Sequence, residues 1–297
     1  MKNFFSVHER DDVSHVVVNV RVCEYSRCLM CGFGALRDFT QEEIIEDFER
    51  ILPKLTLKNV SFYISGSFFN DREFTKKTRE FILKSLSEKE KVTVEAMPEH
   101  LSKEKLKGFE NLEVAIGLES ASDFVLKNCV RKSFRFKDYL KASDVLKDLN
   151  LPLKTYVLFK PPFLTEKNSI EDFRKTILEI KDLTDSISVN PVCVMRGTPL
   201  ETLWRGKLYR PPWLWSLLEG LRSAKKEFLG ELICEPMMAS TMRGVHNCGR
   251  CDREILSNLR RGIYEDIECS CKLTWKKVLE IEERINGVMD ERFFKRR

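Results

Sequence analysis

The sequence has no run of 18 consecutive apolar residues, so it offers no candidate for a helix that spans a membrane. The stretch from Met1 to Arg10 lacks the apolar core of a secretory signal peptide, which predicts a cytoplasmic protein. No internal repeat and no low-complexity segment occurs along the chain. From these features we expect neither a membrane-spanning protein nor a secreted or repeat protein.

Strong charge of one sign is also missing. Lys and Arg number 51 against 46 Asp and Glu, and the formal net charge is only +5. This weak bias permits a nucleic-acid partner without requiring one. The 297 residues are 42% hydrophobic and 10% aromatic, which is enough for a large buried core. Length and composition together predict one large domain with a small appendage.

Short β-branched runs alternate with amphipathic stretches over the first two thirds of the chain, which is typical of parallel βαβ units. The predicted strands are 13–22, 60–64, 92–95, 112–118, 155–159 and 187–192. The predicted helices are 40–52, 71–87, 102–107, 136–149, 169–183, 211–229 and 272–285. Six units predict an α/β fold, a partial (β/α)6 barrel over residues 1–232, because eight units would need roughly 250 residues. Residues 233–297 are predicted to form a small cysteine-rich metal-binding region with a helical extension.

Ten cysteines in a cytoplasmic chain favour metal or redox sites over disulfides. Cys23, Cys28 and Cys31 follow the first predicted strand with the spacing C-x4-C-x2-C. Three thiolates so placed can hold three irons of a [4Fe–4S] cluster and leave the fourth iron for another ligand. A zinc knuckle or three plain buried cysteines is the alternative interpretation.

A second group of cysteines lies near the end of the chain. Cys248 and Cys251 form a CxxC pair, and Cys269 and Cys271 form a CxC pair after 17 intervening residues. Four thiolates can hold one tetrahedral Zn²⁺, which we favour, or a second iron–sulfur cluster. His246 is close enough in sequence to replace one ligand. Cys129, Cys193 and Cys234 have no such spacing and are predicted to pack in the core.

The first cysteine group resembles that of the radical S-adenosylmethionine (SAM) enzymes, and its x4 spacing resembles the branch that contains the Elongator catalytic subunit. The resemblance implies a [4Fe–4S] cluster that binds SAM and yields a 5′-deoxyadenosyl radical. It also implies SAM contacts near the ends of three strands. The implied residues are Ser65, Gly66 and Ser67, then Glu119 and Ser120, and finally Tyr156, whose ring would pack on adenine. The second strand lacks the usual Gly-Gly-Glu motif, and with respect to the narrower family named below Asn70 stands where Asp is expected.

Narrower motifs point to one family. These motifs are Ser-Gly-Ser-Phe-Phe at 65–69, Gly-Leu-Glu-Ser at 117–120, Gly-Thr-Pro-Leu-Glu at 197–201, Trp-Leu-Trp at 213–215 and His-Asn-Cys-Gly-Arg-Cys-Asp at 246–252. The combination resembles the archaeal radical SAM subunit of archaeosine synthase over about residues 15–280. The resemblance implies a tRNA whose 7-deazaguanine carries a lysine side chain, and cleavage of that C–N bond to leave archaeosine. It also implies a lysine-transferring partner subunit and an electron donor, and it identifies no catalytic residue.

A tRNA substrate needs basic side chains that contact phosphate. Arg131, Lys132 and Arg135 lie in a basic stretch after the fourth predicted strand, interleaved with Phe134 and Phe136. Lys160 and Arg196, at strand ends, are candidates for the carboxylate of the lysine adduct. Two alternatives stay open, namely a radical SAM enzyme acting on another tRNA base or a small molecule, and a non-catalytic zinc protein that binds RNA.

Overall fold

Eight strands form one mixed sheet, hydrogen-bonded in chain order from β1 to β8. The structure, a computed structural model, describes residues 4–19, 23–33 and 39–286. The strands are β1 (Phe5–Arg10), β2 (Val13–Val18), β3 (Asn59–Ile64), β4 (Lys91–Ala96), β5 (Leu112–Glu119), β6 (Leu153–Phe159), β7 (Ser186–Pro191) and β8 (Glu231–Ile233). β1 runs antiparallel to β2, and β2 to β5 run parallel.

Helices connect the strands, as the alternating pattern predicts. They are α1 (Gln41–Ile51), α2 (Lys76–Ser85), α3 (Lys103–Leu106), α4 (Phe136–Asp148), α5 (Glu166–Ile180), α6 (Pro199–Arg205), α7 (Leu214–Glu227), α8 (Asp252–Arg260) and α9 (Cys271–Asn286). A π-helix, Val125–Val130, follows β5. In the part of the chain that the structure describes, no helix is both long enough and apolar enough to cross a bilayer.

Alternating burial explains why the strands form where they do. In β2, Val16 and Val18 are buried, and in the parallel register Val18 lies beside Ile64 of β3. Val94 of β4 in turn lies beside Val114 of β5, and both are fully buried. Period-two apolar residues therefore cover one face of these strands with a continuous apolar layer.

The predicted partial barrel is confirmed. The six predicted strands correspond to β2 to β7, although residues 20–22 of the first prediction lie outside the described residues.

Thr40 caps α1 and Glu43 completes the predicted capping box. The helix predicted from Asp71 begins only at Lys76, because Thr75 supplies the N-cap. Sequence analysis did not predict β1, β8, α6 or α8.

The chain divides into two compact units. The first comprises residues 1–118, 132–156 and 183–186, and the second comprises 119–131, 157–182 and 187–297. Within the first unit, Phe68 packs against Phe62, Phe69 and Phe74 with ring centroids 5.1–6.0 Å apart. The proposed domain boundary at residue 232 stays a prediction.

The core of the second unit forms where α7 packs on α5. Gly220 of α7 is required there, because a Cβ at this position would lie 2.8 Å from the Phe159 ring and 3.0 Å from that of Phe173. Those two rings pack edge to face with centroids 5.4 Å apart. The close approach of α7 therefore depends on one residue without a side chain.

Candidate functional site

The first cysteine loop begins five residues after the end of β2, on the side where parallel strands present their carboxyl ends. Cys23 is buried, Cys28 is half-buried and Cys31 is exposed. The Cys31 N–H donates to the Cys28 carbonyl at 3.4 Å, which closes a turn between the last two cysteines. The three thiols lie within nine residues of one another, and their exposure increases from Cys23 to Cys31. They can therefore supply three sulfur ligands to a cluster at the rim of the barrel.

The Ser65–Ser67 segment, which follows β3, is held by backbone and carboxylate contacts. Ser67 is fully buried, its hydroxyl accepts from the Met97 N–H at 3.0 Å, and its own N–H donates to Glu73 at 2.9 Å. Ser65 and Gly66 are half-buried. The Ser67 side chain is thus part of the loop's internal structure, while Ser65 and Gly66 lie nearer the solvent.

The Glu119 turn, at the end of β5, has strained backbone. Glu119 has φ +75°, in the left-handed region that non-glycine residues seldom adopt. The next residues are fixed to α5: the Ser120 hydroxyl donates to Asp172 at 2.9 Å, and the Ala121 N–H donates to the Thr176 hydroxyl at 3.0 Å. These contacts hold the turn in its strained conformation and so fix the position of Glu119.

The Asp172 carboxyl provides a test of this arrangement. Burial raises the pKa of Asp172 from about 3.8 to about 6, although the Ser120 hydroxyl opposes the shift. When folding raises the pKa of a carboxyl, the free energy of unfolding falls as pH rises from about 4 to about 6, because the unfolded state loses its proton first. We therefore expect Asp172→Asn, which keeps the acceptor for Ser120, to be more stable than the parent near pH 7.5, by at most about 3 kcal/mol. This difference in the free energy of unfolding should become smaller as pH falls towards 4.

Thermal unfolding of the two proteins at several pH values measures this difference. Asp144→Asn makes the same substitution on the exposed face of α4 and should leave the pH dependence of Tm unchanged. A variant at Asp172 that is no more stable than the parent at neutral pH would contradict the prediction.

Tyr156, which was predicted to pack on adenine, lies on β6 close to acidic groups. Burial, together with the neighbouring Glu95 carboxylate, raises the pKa of the Tyr156 phenol well above its ordinary value, so the ring is neutral. Glu95 also accepts from the Ile64 N–H at 2.7 Å, at the end of β3. A neutral phenol beside this carboxylate is compatible with packing on a base, and the adenine contact stays a prediction.

Lys160 and Arg196 have different surroundings. The Lys160 ammonium is buried, and it donates to Glu166 at 2.5 Å and to the Arg210 carbonyl at 2.9 Å. Its charge is therefore already neutralised inside the protein. Arg196 is exposed, in the loop before α6. Of the two candidates for a substrate carboxylate, Arg196 has the more accessible cationic group.

The basic stretch after the π-helix lies on the surface. Arg131 and Arg135 are exposed, and the Lys132 ammonium lies 5.3 Å from the centre of the Phe134 ring. Phe134 is buried, and Phe136 stacks on Tyr139 with centroids 5.9 Å apart. The charges are thus suited to phosphate contact, whereas these two aromatic rings pack within the protein.

The four late cysteines converge. Cys248, Cys251, Cys269 and Cys271 place their sulfurs within 4.8 Å of one another. The sulfur of Cys248 lies 3.9 Å from that of Cys251 and 3.7 Å from that of Cys269, and Cys251 and Cys271 are 3.6 Å apart. This cluster can bind a metal ion. His246, the alternative ligand, directs Nδ1 to the Gly244 carbonyl at 2.7 Å instead.

Two side chains donate hydrogen bonds to these sulfurs. Trp215 Nε1 lies 3.2 Å from the Cys271 sulfur, and Asn247 Nδ2 lies 3.3 Å from that of Cys251. Asp252 accepts from the backbone N–H groups of Asn247 and Gly249, both at 3.0 Å, which shapes the CxxC turn. Gly249 suits this turn because its φ is +85°. Donors of this kind are typical of the surroundings of a metal thiolate site.

Of the three remaining cysteines, two are core thiols, as predicted. Cys129 and Cys234 are buried, and burial raises the pKa of each thiol to about 12. Cys193 is half-buried and its thiol pKa is also raised by burial. Such thiols stay protonated and unreactive at neutral pH.

Comparison with known proteins identifies the family. Residues 20–180 match the Radical SAM superfamily. The chain is 35% identical to archaeosine synthase subunit beta of Methanosarcina acetivorans, over 88% of this chain and 82% of that protein. The chain belongs to the radical SAM superfamily. Within that superfamily it belongs with the archaeosine synthase beta subunits, since it is also 31% identical to the subunit beta of Thermococcus kodakarensis, over 89% of this chain and 87% of that one.

A solved structure shows the same fold. The Elp3 protein of Methanocaldococcus infernus superposes with a TM-score of 0.53 at 18% identity, over 75% of this chain and 59% of that one. At this identity the likeness concerns the fold alone. The radical SAM barrel predicted from the alternating strands and from the C-x4-C-x2-C spacing is therefore confirmed.

Sequence reasoning about this radical SAM enzyme missed several buried polar residues. Glu73 is 3% exposed and hydrogen-bonds to the Ser65–Ser67 segment, while Asp172 and Glu166 fix the ends of β5 and β6. No sequence motif identifies these three carboxylates, because each one reaches its hydrogen-bond partner only in the folded chain. The unexpected Asn70 was the one available signal, and it is 4% exposed.

Proposed function

We propose that this protein is the subunit that completes archaeosine in tRNA. Its substrate is a 7-deazaguanine in tRNA that carries a lysine side chain on its formamidine nitrogen. Removal of a hydrogen atom from the lysine carbon next to that nitrogen, and loss of a second electron that the oxidised cluster would accept, give an iminium. Water then cleaves the C–N bond, which leaves the free formamidine of archaeosine and a lysine remnant at the aldehyde level. The observation that carries this proposal is the 31–35% identity to two archaeosine synthase beta subunits over most of each chain. Similarity that extends over most of both chains favours a shared substrate.

Residues of this chain have distinct roles in the proposal. Cys23, Cys28 and Cys31 hold a [4Fe–4S] cluster. When bound, the cluster and SAM supply a 5′-deoxyadenosyl radical that abstracts a hydrogen atom from the substrate. Ser65, Gly66 and Ser67 contact SAM at the end of β3, through backbone groups in the case of the buried Ser67.

Further SAM contacts come from β5 and β6. Glu119 accepts from the ribose hydroxyls, because an ionised carboxylate is an acceptor only, and Ser120 keeps its turn in place. Tyr156 packs on the adenine. The strained backbone of Glu119 supports this role, since such strain is concentrated at functional sites.

Basic side chains bind the substrate. Arg131, Lys132 and Arg135 contact tRNA phosphates, and Arg196 binds the carboxylate of the lysine adduct through its planar guanidinium. Lys160, which is buried and paired with Glu166, supports the end of β6 rather than binding the substrate directly. The enzyme works with a lysine-transferring subunit, as the relatives' name "subunit beta" suggests, and it needs an electron donor.

The four late cysteines hold one zinc ion in this proposal. Zinc–sulfur bonds of about 2.3 Å in a tetrahedron place the sulfurs about 3.8 Å apart. The observed separations of 3.6–3.9 Å agree with that value. A [4Fe–4S] cluster distributes its thiolates over four different irons and therefore needs wider spacing. The geometry favours a single ion over a second cluster.

The proposed reaction can be tested with purified protein. The enzyme is reconstituted with iron and sulfide without oxygen, reduced, and incubated with SAM and tRNA that carries the lysine adduct. We expect archaeosine and 5′-deoxyadenosine in roughly equal amounts by mass spectrometry. Formation of 5′-deoxyadenosine with unchanged tRNA would identify a radical SAM enzyme for another substrate.

In cells that lack the protein, the lysine-linked nucleoside should accumulate in tRNA. An unchanged archaeosine content in those cells would reject the proposal.

A further inference from the structure

The buried side chain of Asn70, in the first unit, hydrogen-bonds to two carboxylates. Its Oδ1 accepts from the Arg72 N–H at 3.1 Å, so its amide nitrogen must face the other way. That nitrogen, Nδ2, donates to Glu24 at 3.1 Å and to Glu73 at 3.1 Å. One amide group therefore joins two carboxylates that are far apart in sequence.

Glu73 connects this amide to the segment after β3. Its Oε1 accepts from Asn70, while its Oε2 accepts from the Ser67 N–H. The carboxylate also lies directly against Gly66, where a Cβ would be 2.1 Å from Oε2. Glycine is thus needed at position 66 for the carboxylate to approach, and Glu73 supports the Ser65–Ser67 segment from within.

Glu24 connects the same amide to the cysteine loop. It directly follows Cys23 in the chain, and it also pairs with the exposed Arg72 guanidinium. The two segments that this contact joins are the one that begins at Cys23 and the one that holds Ser65 and Gly66. In a radical SAM enzyme the first carries the iron–sulfur cluster, and in our proposal the second contacts SAM.

We infer that Asn70 is a positioning residue that fixes the cysteine loop to the segment after β3. Asparagine serves here where aspartate cannot, because Nδ2 donates to both carboxylates and an aspartate has no such donor. Aspartate would instead place a third carboxylate beside two others, and like charges at this distance repel. The inference depends on the radical SAM cofactors and not on the identity of the tRNA substrate.

The Asn70→Asp variant tests this role through two measurements that do not depend on catalysis. The first is hydrogen exchange of residues 23–33 in the protein without cofactors, and the second is the rate at which reconstituted protein loses iron to a chelator. We expect both to accelerate by about tenfold or more, since hydrogen bonds to charged groups are strong. Asn128→Asp, at an exposed amide in the π-helix, is the matched control and should change neither.

A second substitution separates positioning from general damage. In the double variant Glu24→Gln with Asn70→Asp, the new glutamine amide can donate to the new aspartate, so the link is restored in the opposite direction. We expect slower exchange and slower iron loss than in Asn70→Asp alone. If Asn70→Asp does not fold, Glu24→Ala removes the other end of the link at an exposed residue and should accelerate exchange in the same segment. Parent-like exchange and iron retention in these variants, or no recovery in the double variant, would overturn the inference.

Discussion

Cys28→Ala is expected to abolish radical formation. In the proposed function the three cysteines of the first loop each bind one iron, and a cluster left with two protein ligands would have no stable attachment. Reconstituted protein should lose most of its cluster iron, and SAM cleavage to 5′-deoxyadenosine should fall by about a thousandfold or more, because the protein groups cannot replace the cofactor's chemistry. Iron analysis, absorbance in the visible range and product quantification after reduction measure the three effects.

Cys193→Ala is the matched control for that experiment. It removes a half-buried thiol whose raised pKa keeps it protonated, and it should leave cluster content and SAM cleavage close to the parent values. The two variants therefore differ in whether the lost sulfur belongs to the C-x4-C-x2-C loop. Full SAM cleavage by Cys28→Ala would mean that the cluster is held elsewhere in the chain.

Cys251→Ser is expected to destabilise the second unit strongly. Cys251 is the most buried of the four cysteines in this group, and metal binding to such sites contributes directly to folding. In the proposed function the metal would also join the CxxC turn to Cys271, the first residue of α9. We expect the bound zinc to fall from about one per chain to near zero and Tm to fall by roughly 5–10 °C.

Metal analysis and thermal unfolding of the protein test this expectation. Cys234→Ala, which removes another buried thiol of the same unit, should keep the zinc and cost far less stability. Trp275 of α9 donates to Ser216 of α7 at 2.8 Å, so its fluorescence reports whether α9 stays in place when zinc is removed. Iron and sulfide bound at these cysteines in place of zinc would refute the single-ion site, as would a metal-free parent with unchanged Tm.

The two cysteine groups were predictable because spacing alone carries their chemistry. Within the first loop, and within each of the two late pairs, thiolates separated by one to four residues can reach one metal site through a short local turn. The meeting of the two late pairs depends on the fold. The alternation of β-branched and amphipathic segments likewise predicted the barrel, since periodicity records which face of a strand is buried. β8 escaped prediction because three residues carry too little periodicity.

The tertiary structure alone decided how the motifs are held. Whether Lys160 could meet a substrate depended on Glu166 lying at hydrogen-bond distance inside the protein, and no local pattern encodes that contact. The same holds for Asn70, whose amide serves two carboxylates that lie 46 residues and three residues away in the chain. The sequence by itself determined which atoms can bind iron and zinc, because ligand chemistry belongs to the residue type. Only the fold determined which polar side chains already have hydrogen-bond partners within the protein, because folding decides which groups come within hydrogen-bond distance.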